Sequence, residues 1–164
     1  MQFCDFRVGQ LLRAGPTWIG PCEIVAFAHA YDPQWFHADP KRAKSSRWGG
    51  LIASGWHTCA IAMRLACEGP LRGSESIGSP GVAYLKWPAP VRPGDELRLE
   101  AEVLETRVSK KGHSGVLRWR WILLNQIDVT VLELEATSLF ELAQLTDAQR
   151  SRNPTNDVAL GERR

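Results

Sequence analysis

Cysteine is scarce in this 164-residue sequence: there are four, with no CxxC pair and no spacing against histidine of the zinc-finger kind. The usual sequence signal for a metal site is therefore missing, and none is expected. Cys59 and Cys67 stand on one predicted helix about 12 Å apart at 1.5 Å rise per residue, too far for a disulfide. A Cys4–Cys22 bridge stays open beside the alternative of reduced thiols packed as small hydrophobes. Charge of one sign is lacking too: Lys plus Arg number 20 against 18 Asp plus Glu, which gives no broad basic face for nucleic acid. The longest apolar run, Leu51 to Cys67, is interrupted by His57 and Arg64 and falls short of the roughly 18 unbroken residues of a membrane span. Asp5, Arg7 and Arg13 break up any apolar leader at the amino end, so the expected location is the cytoplasm, away from membranes. Internal repeats and low-complexity blocks are absent as well.

What is present suits one globular core: 44% apolar and 23% charged residues. The expected domain spans residues 1–144, and a polar, poorly ordered tail is expected over 145–164. Pro21 fits a first helical position, Ile24, Phe27, Ala28 and Tyr31 form one apolar stripe, and Pro33 forbids continuation. The spacing predicts a helix over 21–31 with Asp32 just past its end. From Asp32 to Gly50 prolines, glycines, charges and aromatics mix without period, as in a long structured loop. A second helix is predicted over 54–67, with Ser54 as N-cap. It is so apolar that it needs cover on nearly every side.

That cover comes from alternating segments. Leu97, Leu99, Ala101 and Val103 alternate with charges; Leu117, Trp119, Trp121 and Leu123 do the same, and so do Leu132, Leu134 and Ala136. Strands are predicted near 82–91, 96–108, 116–125 and 128–142, joined as an antiparallel meander. The alternation slips phase at Val103–Leu104 and at Val131–Leu132, which predicts bulges that curl the sheet. The fold class is thus α+β: a single hot-dog domain, a curled antiparallel sheet wrapped around a central apolar helix. Its open edge and incompletely covered helix point to a homodimer, with a dimer of dimers left open.

Residues 32–43, DPQWFHADPKRA, resemble the hydratase signature of the MaoC-like family of (R)-specific enoyl-CoA hydratases, Asp-x-Asn-Pro-hydrophobic-His-x-Asp-Pro and then a small residue. Asp32, His37, Asp39, Pro40 and Ala43 fall at the family's positions. Residues 47–55, RWGGLIASG, are similar to its second element, Gly-Phe-x-x-Pro-Ile-x-His-Gly, and residues 90–95, PVRPGD, to its Pro-Val-x-x-Gly-Asp. Gln34 replaces the family's Asn, Trp35 its Pro, Tyr31 its Gly, Leu51 a Pro and Ser54 a His. The resemblance implies that Asp32 and His37 orient and deprotonate one water for addition to a trans-2-enoyl thioester, then return a proton on the same face. No cofactor is implied, since coenzyme A enters with the substrate.

The backbone N–H of Gly55, with Ser54 beside it, is placed to bind the thioester oxygen, because helix N-termini carry unsatisfied donors. Gly55 equally suits close helix packing, Ser54 a plain cap, and Asp32 loop amides. Trp35, Phe36 and Trp56 are candidate pocket residues, Trp48 is placed with Trp35 and Trp56 to narrow or reshape the acyl pocket, and His57 is read as either a pocket or a core histidine. His29 and His113 are expected at the surface. Lys41, Arg42, Lys44 and Arg47 carry no acid between them, which fits either a solvated face or a site for coenzyme A phosphates. Rival functions are a hot-dog thioesterase and a catalytically silent acyl-CoA-binding module.

Overall fold

The computed structural model describes residues 1–110 and 112–142; the expected tail, 145–164, and the last two residues of the expected domain lie outside the described residues. After a short 3-10 turn (Phe3–Asp5) come β1 (Leu11–Trp18), α1 (Pro21–Tyr31), α2 (Trp35–Ala38), α3 (Pro40–Ala43) and α4 (Gly55–Glu68). Four strands follow, β2 (Ser76–Lys86), β3 (Glu96–Val108), β4 (Ser114–Leu124) and β5 (Thr130–Glu141). One five-stranded antiparallel sheet runs in the order β1-β3-β4-β5-β2, curled around α4 as a hot-dog fold. Among the described residues no helix is long and apolar enough to cross a membrane.

The alternation read from β3, β4 and β5 holds residue by residue. Leu97, Leu99, Ala101 and Val103 are buried beside Leu117, Trp119, Trp121, Leu123, Leu132, Leu134 and Ala136, and they meet Ile61, Ala62, Leu65 and Ala66 of α4. Both phase slips are bulges. The β3–β4 register shifts between Val103 and Glu105, leaving Leu104 unpaired, and the β4–β5 register steps from Leu132 to Thr130, leaving Val131 unpaired.

Several expectations are corrected. The meander is confined to β3-β4-β5, because β2 pairs with β5 and not with β3. The first predicted strand, 82–91, is displaced to Ser76–Lys86, since Pro88 and Pro90 cannot donate to a ladder. β1 is an unforeseen edge strand. Gly15-Pro16 interrupts its alternation, its register shifts there, and Gly15 (φ +100°) lies where a Cβ would sit 3.0 Å from the Leu97 carbonyl, a place only glycine fills without strain. The 32–50 excursion contains α2 and α3 instead of being all loop. The incomplete cover expected for α4, by contrast, is observed: Trp56, Ala60, Met63 and Cys67, one stripe at helical spacing, are exposed. All four cysteines are free, and Cys4, Cys22 and Cys67 are exposed. The Cys4–Cys22 bridge is thereby excluded, and the packed-thiol reading applies to half-buried Cys59 alone.

Candidate functional site

Asp32 is the C-cap of α1, its amide bound to the Ala28 carbonyl at 2.9 Å, and Pro33 ends the helix there. The chain then turns at once into α2, with the Gln34 amide on the Asp32 carbonyl at 2.8 Å. One turn later His37 points inward and is buried. Asp39, which fitted the hydratase signature, acts locally: its carboxylate accepts from the Lys41 and Arg42 amides and caps α3. Ala43 is fully buried, so a small residue is required after the Asp-Pro pair.

Three contacts orient the Asp32–His37 pair. His37 Nδ1 lies 2.8 Å from the Ile52 carbonyl; a carbonyl only accepts, so Nδ1 carries the hydrogen and Nε2 presents a lone pair. Nε2 faces Asp32 Oδ2 across 3.6 Å, with side-chain exposures of 7% and 17%. That separation exceeds a direct hydrogen bond and suits a bridging water. Ser54 Oγ donates to Oδ2 at 2.6 Å, and Gln34 Nε2 donates to Oδ1 at 2.8 Å. Partial burial works to raise the Asp32 pKa, but the Ser54 and Gln34 hydrogen bonds and the neighbouring His37 outweigh it, and the net shift is downward. Asp32 is therefore held as an acceptor-only carboxylate.

Both readings of Ser54 hold at once. Its Oγ accepts from the Trp56 amide at 3.2 Å, capping α4, while its hydroxyl hydrogen goes to Asp32. Gly55 opens α4, where first-turn amides have no intrahelical acceptor. A Cβ on Gly55 would stand 2.6 Å from the Trp87 ring, so the packing role of this glycine is real. Asp32, His37, Ser54 and Gly55 line one cleft of about 340 Å³ together with Phe36, Trp48, Trp56, Thr58 and residues 87–91.

Phe36 and Trp56 thus lie where the sequence suggested, but Trp35 does not reach the cleft. It packs edge-on against Phe36 with the Arg42 guanidinium 4.9 Å over its ring, because on a one-turn helix it faces away from His37. Lys41, Arg42, Lys44 and Arg47 are exposed and outside the cleft wall. Only Arg47 approaches it, 5.2 Å over the ring of Trp48. His57 is a core histidine: buried, stacked 4.4 Å from Phe27, yet with Nδ1 lacking any partner among the described residues. His29 and His113 are exposed, as expected.

Trp48 lines the cleft, as the sequence suggested, but the wall from Trp87 to Val91 escaped the sequence reading. Pro88 and Pro90 within four residues were the available signal, since such a pair argues against a strand. The wall is tied to the α4 entry by the Ala53 amide on the Val91 carbonyl, 2.9 Å. The arrangement offers a base and a carboxylate that one water can touch together from the cleft, beside a helix N-terminus able to hold a developing oxyanion.

Residues 7–120 match the family described as "MaoC like domain". Among similar proteins, YdeM of Bacillus subtilis is 32% identical over 141 residues, covering 86% of this chain and 99% of that one. A crystal structure of a MaoC-like dehydratase from Rhodospirillum rubrum superposes with a TM-score of 0.73 and 36% identity, covering 84% of this chain and 94% of that one. The (R)-hydratase of A. caviae involved in PHA biosynthesis superposes with a TM-score of 0.62 and 25% identity, covering 81% and 96%.

Proposed function

The chain belongs to the MaoC-like domain family, and from that premise we propose that it is a cytoplasmic hydro-lyase converting trans-2-enoyl-CoA and water to (R)-3-hydroxyacyl-CoA, or running the reverse dehydration. The observation that carries this reading is the 3.6 Å gap between Asp32 Oδ2 and His37 Nε2, on the same cleft as the open N-terminus of α4. A water on the cleft side of the two atoms, within reach of both, gives one hydrogen to Asp32 and one to Nε2. Its oxygen adds to the β-carbon, and Nε2 takes the proton and delivers it to the α-carbon on the same face, so that H and OH of one water are both consumed. Asp32, too acidic to be the stronger base, orients the water and balances the transient imidazolium. The thioester oxygen gathers negative charge as the α-carbon becomes nucleophilic, and the Gly55 amide meets it.

Turnover of short, medium, branched and aromatic enoyl-CoAs, followed by loss of the conjugated absorbance, tests the assignment against Asp32→Asn and His37→Ala. Equal rates for all three proteins would remove it, and thioester hydrolysis without hydration would make the protein a thioesterase. Binding without either reaction would leave the silent module.

A homodimer completes this reading. The exposed α4 stripe and the outer edge of β2, with Ile77 57% and Val82 52% exposed, would be covered by a second copy. Light scattering reads the mass of the pair and any further pairing. The basic run is assigned to coenzyme A phosphates, with Arg47 leading from the Trp48 rim. Lys41→Glu with Arg42→Glu is expected to raise KM for a CoA thioester roughly threefold to tenfold while sparing kcat, the mark of rim electrostatics. An unchanged KM returns the run to solvent.

A further inference from the structure

Trp87 has no role in the mechanism above, yet three contacts fix its indole at the mouth of α4. One face covers Gly55 so closely that a Cβ there would fall within 2.9 Å of three ring atoms. Trp56 meets it edge-to-face with centroids 5.6 Å apart. Cys59, one helical turn beyond Gly55, is half-buried near the indole: burial raises its thiol pKa and the indole N–H works to lower it. The next residues stiffen the wall: Pro88 and Pro90 have fixed φ, and Val91 is hydrogen-bonded to Ala53. Trp87 is 43% exposed, and it lines the same cleft as the Asp32–His37 pair. At about 340 Å³ this cleft is small within the roughly 300–1,000 Å³ range of ligand sites.

A bulky, rigidly supported ring on the wall of a small cleft, against the α4 N-terminus, limits what extends past the reacting carbons. We propose that Trp87 is the specificity-determining residue of this site, closing the acyl pocket beside the α4 N-terminus and restricting the protein to short-chain acyl thioesters. The inference rests on the hydro-lyase reading for the identity of the ligand, but acyl-chain length is read by binding as well as by turnover.

Two measurements on wild type, Trp87→Phe and Trp87→Ala decide it. The first is the ratio of kcat/KM for crotonyl-CoA over trans-2-decenoyl-CoA. The second is the ratio of calorimetric Kd values for butyryl-CoA and decanoyl-CoA, which needs no water chemistry. In wild type both ratios favour the short chain by about a hundredfold, the scale of discrimination reached by an apolar pocket. Phenylalanine, which keeps the fold well supplied with apolar contact, reduces the ratios in part, and alanine reduces them about tenfold or more. A general loss of stability would lower kcat/KM and raise Kd for both chain lengths alike and leave the ratios standing. Ratios equal within about twofold across the three proteins, or no binding of either thioester, overturn the proposal. Absence of turnover with a preserved short-chain ratio in Kd would instead overturn the hydro-lyase reading and keep the Trp87 assignment.

Discussion

Among the described residues there are two histidine–carboxylate pairs of nearly the same geometry, and only one of them lies on a cleft. His37 Nε2 stands 3.6 Å from Asp32, and His57 Nε2 stands 3.7 Å from Glu23; both imidazoles are buried. The difference is in what surrounds them. The Ile52 carbonyl fixes the tautomer of His37, whereas His57 Nδ1 has no partner among the described residues. Ser54 and Gln34 hold Asp32, whereas Glu23 is shared with Arg64 at 3.4 Å. Phe27 stacks flat on His57 and occupies the face a substrate would need. Burial works to lower the His57 pKa, Glu23 works to raise it, Arg64 lowers it, and the net shift is downward. Proximity of a base and an acid is thus common to both, while a fixed tautomer, a doubly held carboxylate and an open face belong to one.

Substitution in both pairs is the strongest way to break this contrast. Asp32→Asn and His37→Ala are expected to lower kcat/KM for a short enoyl-CoA at least a hundredfold, about 2.7 kcal/mol at 1.36 kcal/mol per decade. Glu23→Gln and His57→Gln should stay within about threefold of wild type, since neither group reaches the reacting atoms. Comparable losses in both pairs would show that geometry alone had been over-read.

A smaller effect sharpens the account of why Asp32 differs from Glu23. Ser54→Ala removes the 2.6 Å donor, so the Asp32 pKa rises toward its ordinary value and the acid limb of kcat/KM against pH moves to higher pH. Activity near neutrality should fall about tenfold, and loss of the α4 cap should cost ~1 kcal/mol of stability. Gln34→Ala moves the limb the same way by less, because Gln34 is exposed. If stability falls in Ser54→Ala while the limb stays in place, Ser54 is a cap and nothing more.

The legibility of the two pairs in sequence differed for a physical reason. Asp32 and His37 sit in one short segment whose prolines mark the turns, near enough to share one water, and the resemblance to the hydratase signature singled the two out. Glu23 and His57 are separated by α1, α2 and α3, and their meeting depends on how α1 packs on α4, which periodicity does not encode. The same division runs through the fold. β3, β4 and β5 were readable because each buries one face, so side-chain alternation survives even their bulges. The edge strands β1 and β2 contain Gly15-Pro16 and Ser79-Pro80-Gly81, and an edge tolerates such residues because one side of it owes no ladder bonds. Trp87 reaches the cleft from a segment that looked like strand, and Trp35 misses it from one that looked like the site. Which way a residue faces on a one-turn helix is settled by tertiary contact rather than by local pattern.

The least conspicuous difference between the pairs should appear in stability. A His57 whose folded pKa lies below its ordinary 6.5 is less protonated when folded than when unfolded. Its contribution is then fully present above the unfolded value and is lost as pH falls through that value toward the folded one, with a ceiling of about 1.4 kcal/mol per pH unit for one proton. The lowered Asp32 pKa acts in the same direction, but only around and below its ordinary 3.8, outside this window. Thermal unfolding between about pH 7.5 and pH 5.5 should therefore show a falling Tm in wild type and a flatter profile in His57→Gln. Glu23→Gln discriminates further. It removes the carboxylate that favours the imidazolium, deepens the depression of the His57 pKa, and should make the acid loss of Tm steeper than in wild type. A wild-type Tm that holds or rises as pH falls, with a fall appearing only in Glu23→Gln, would mean that Glu23, and not burial beneath Phe27, governs His57, and the two pairs would then be alike in kind.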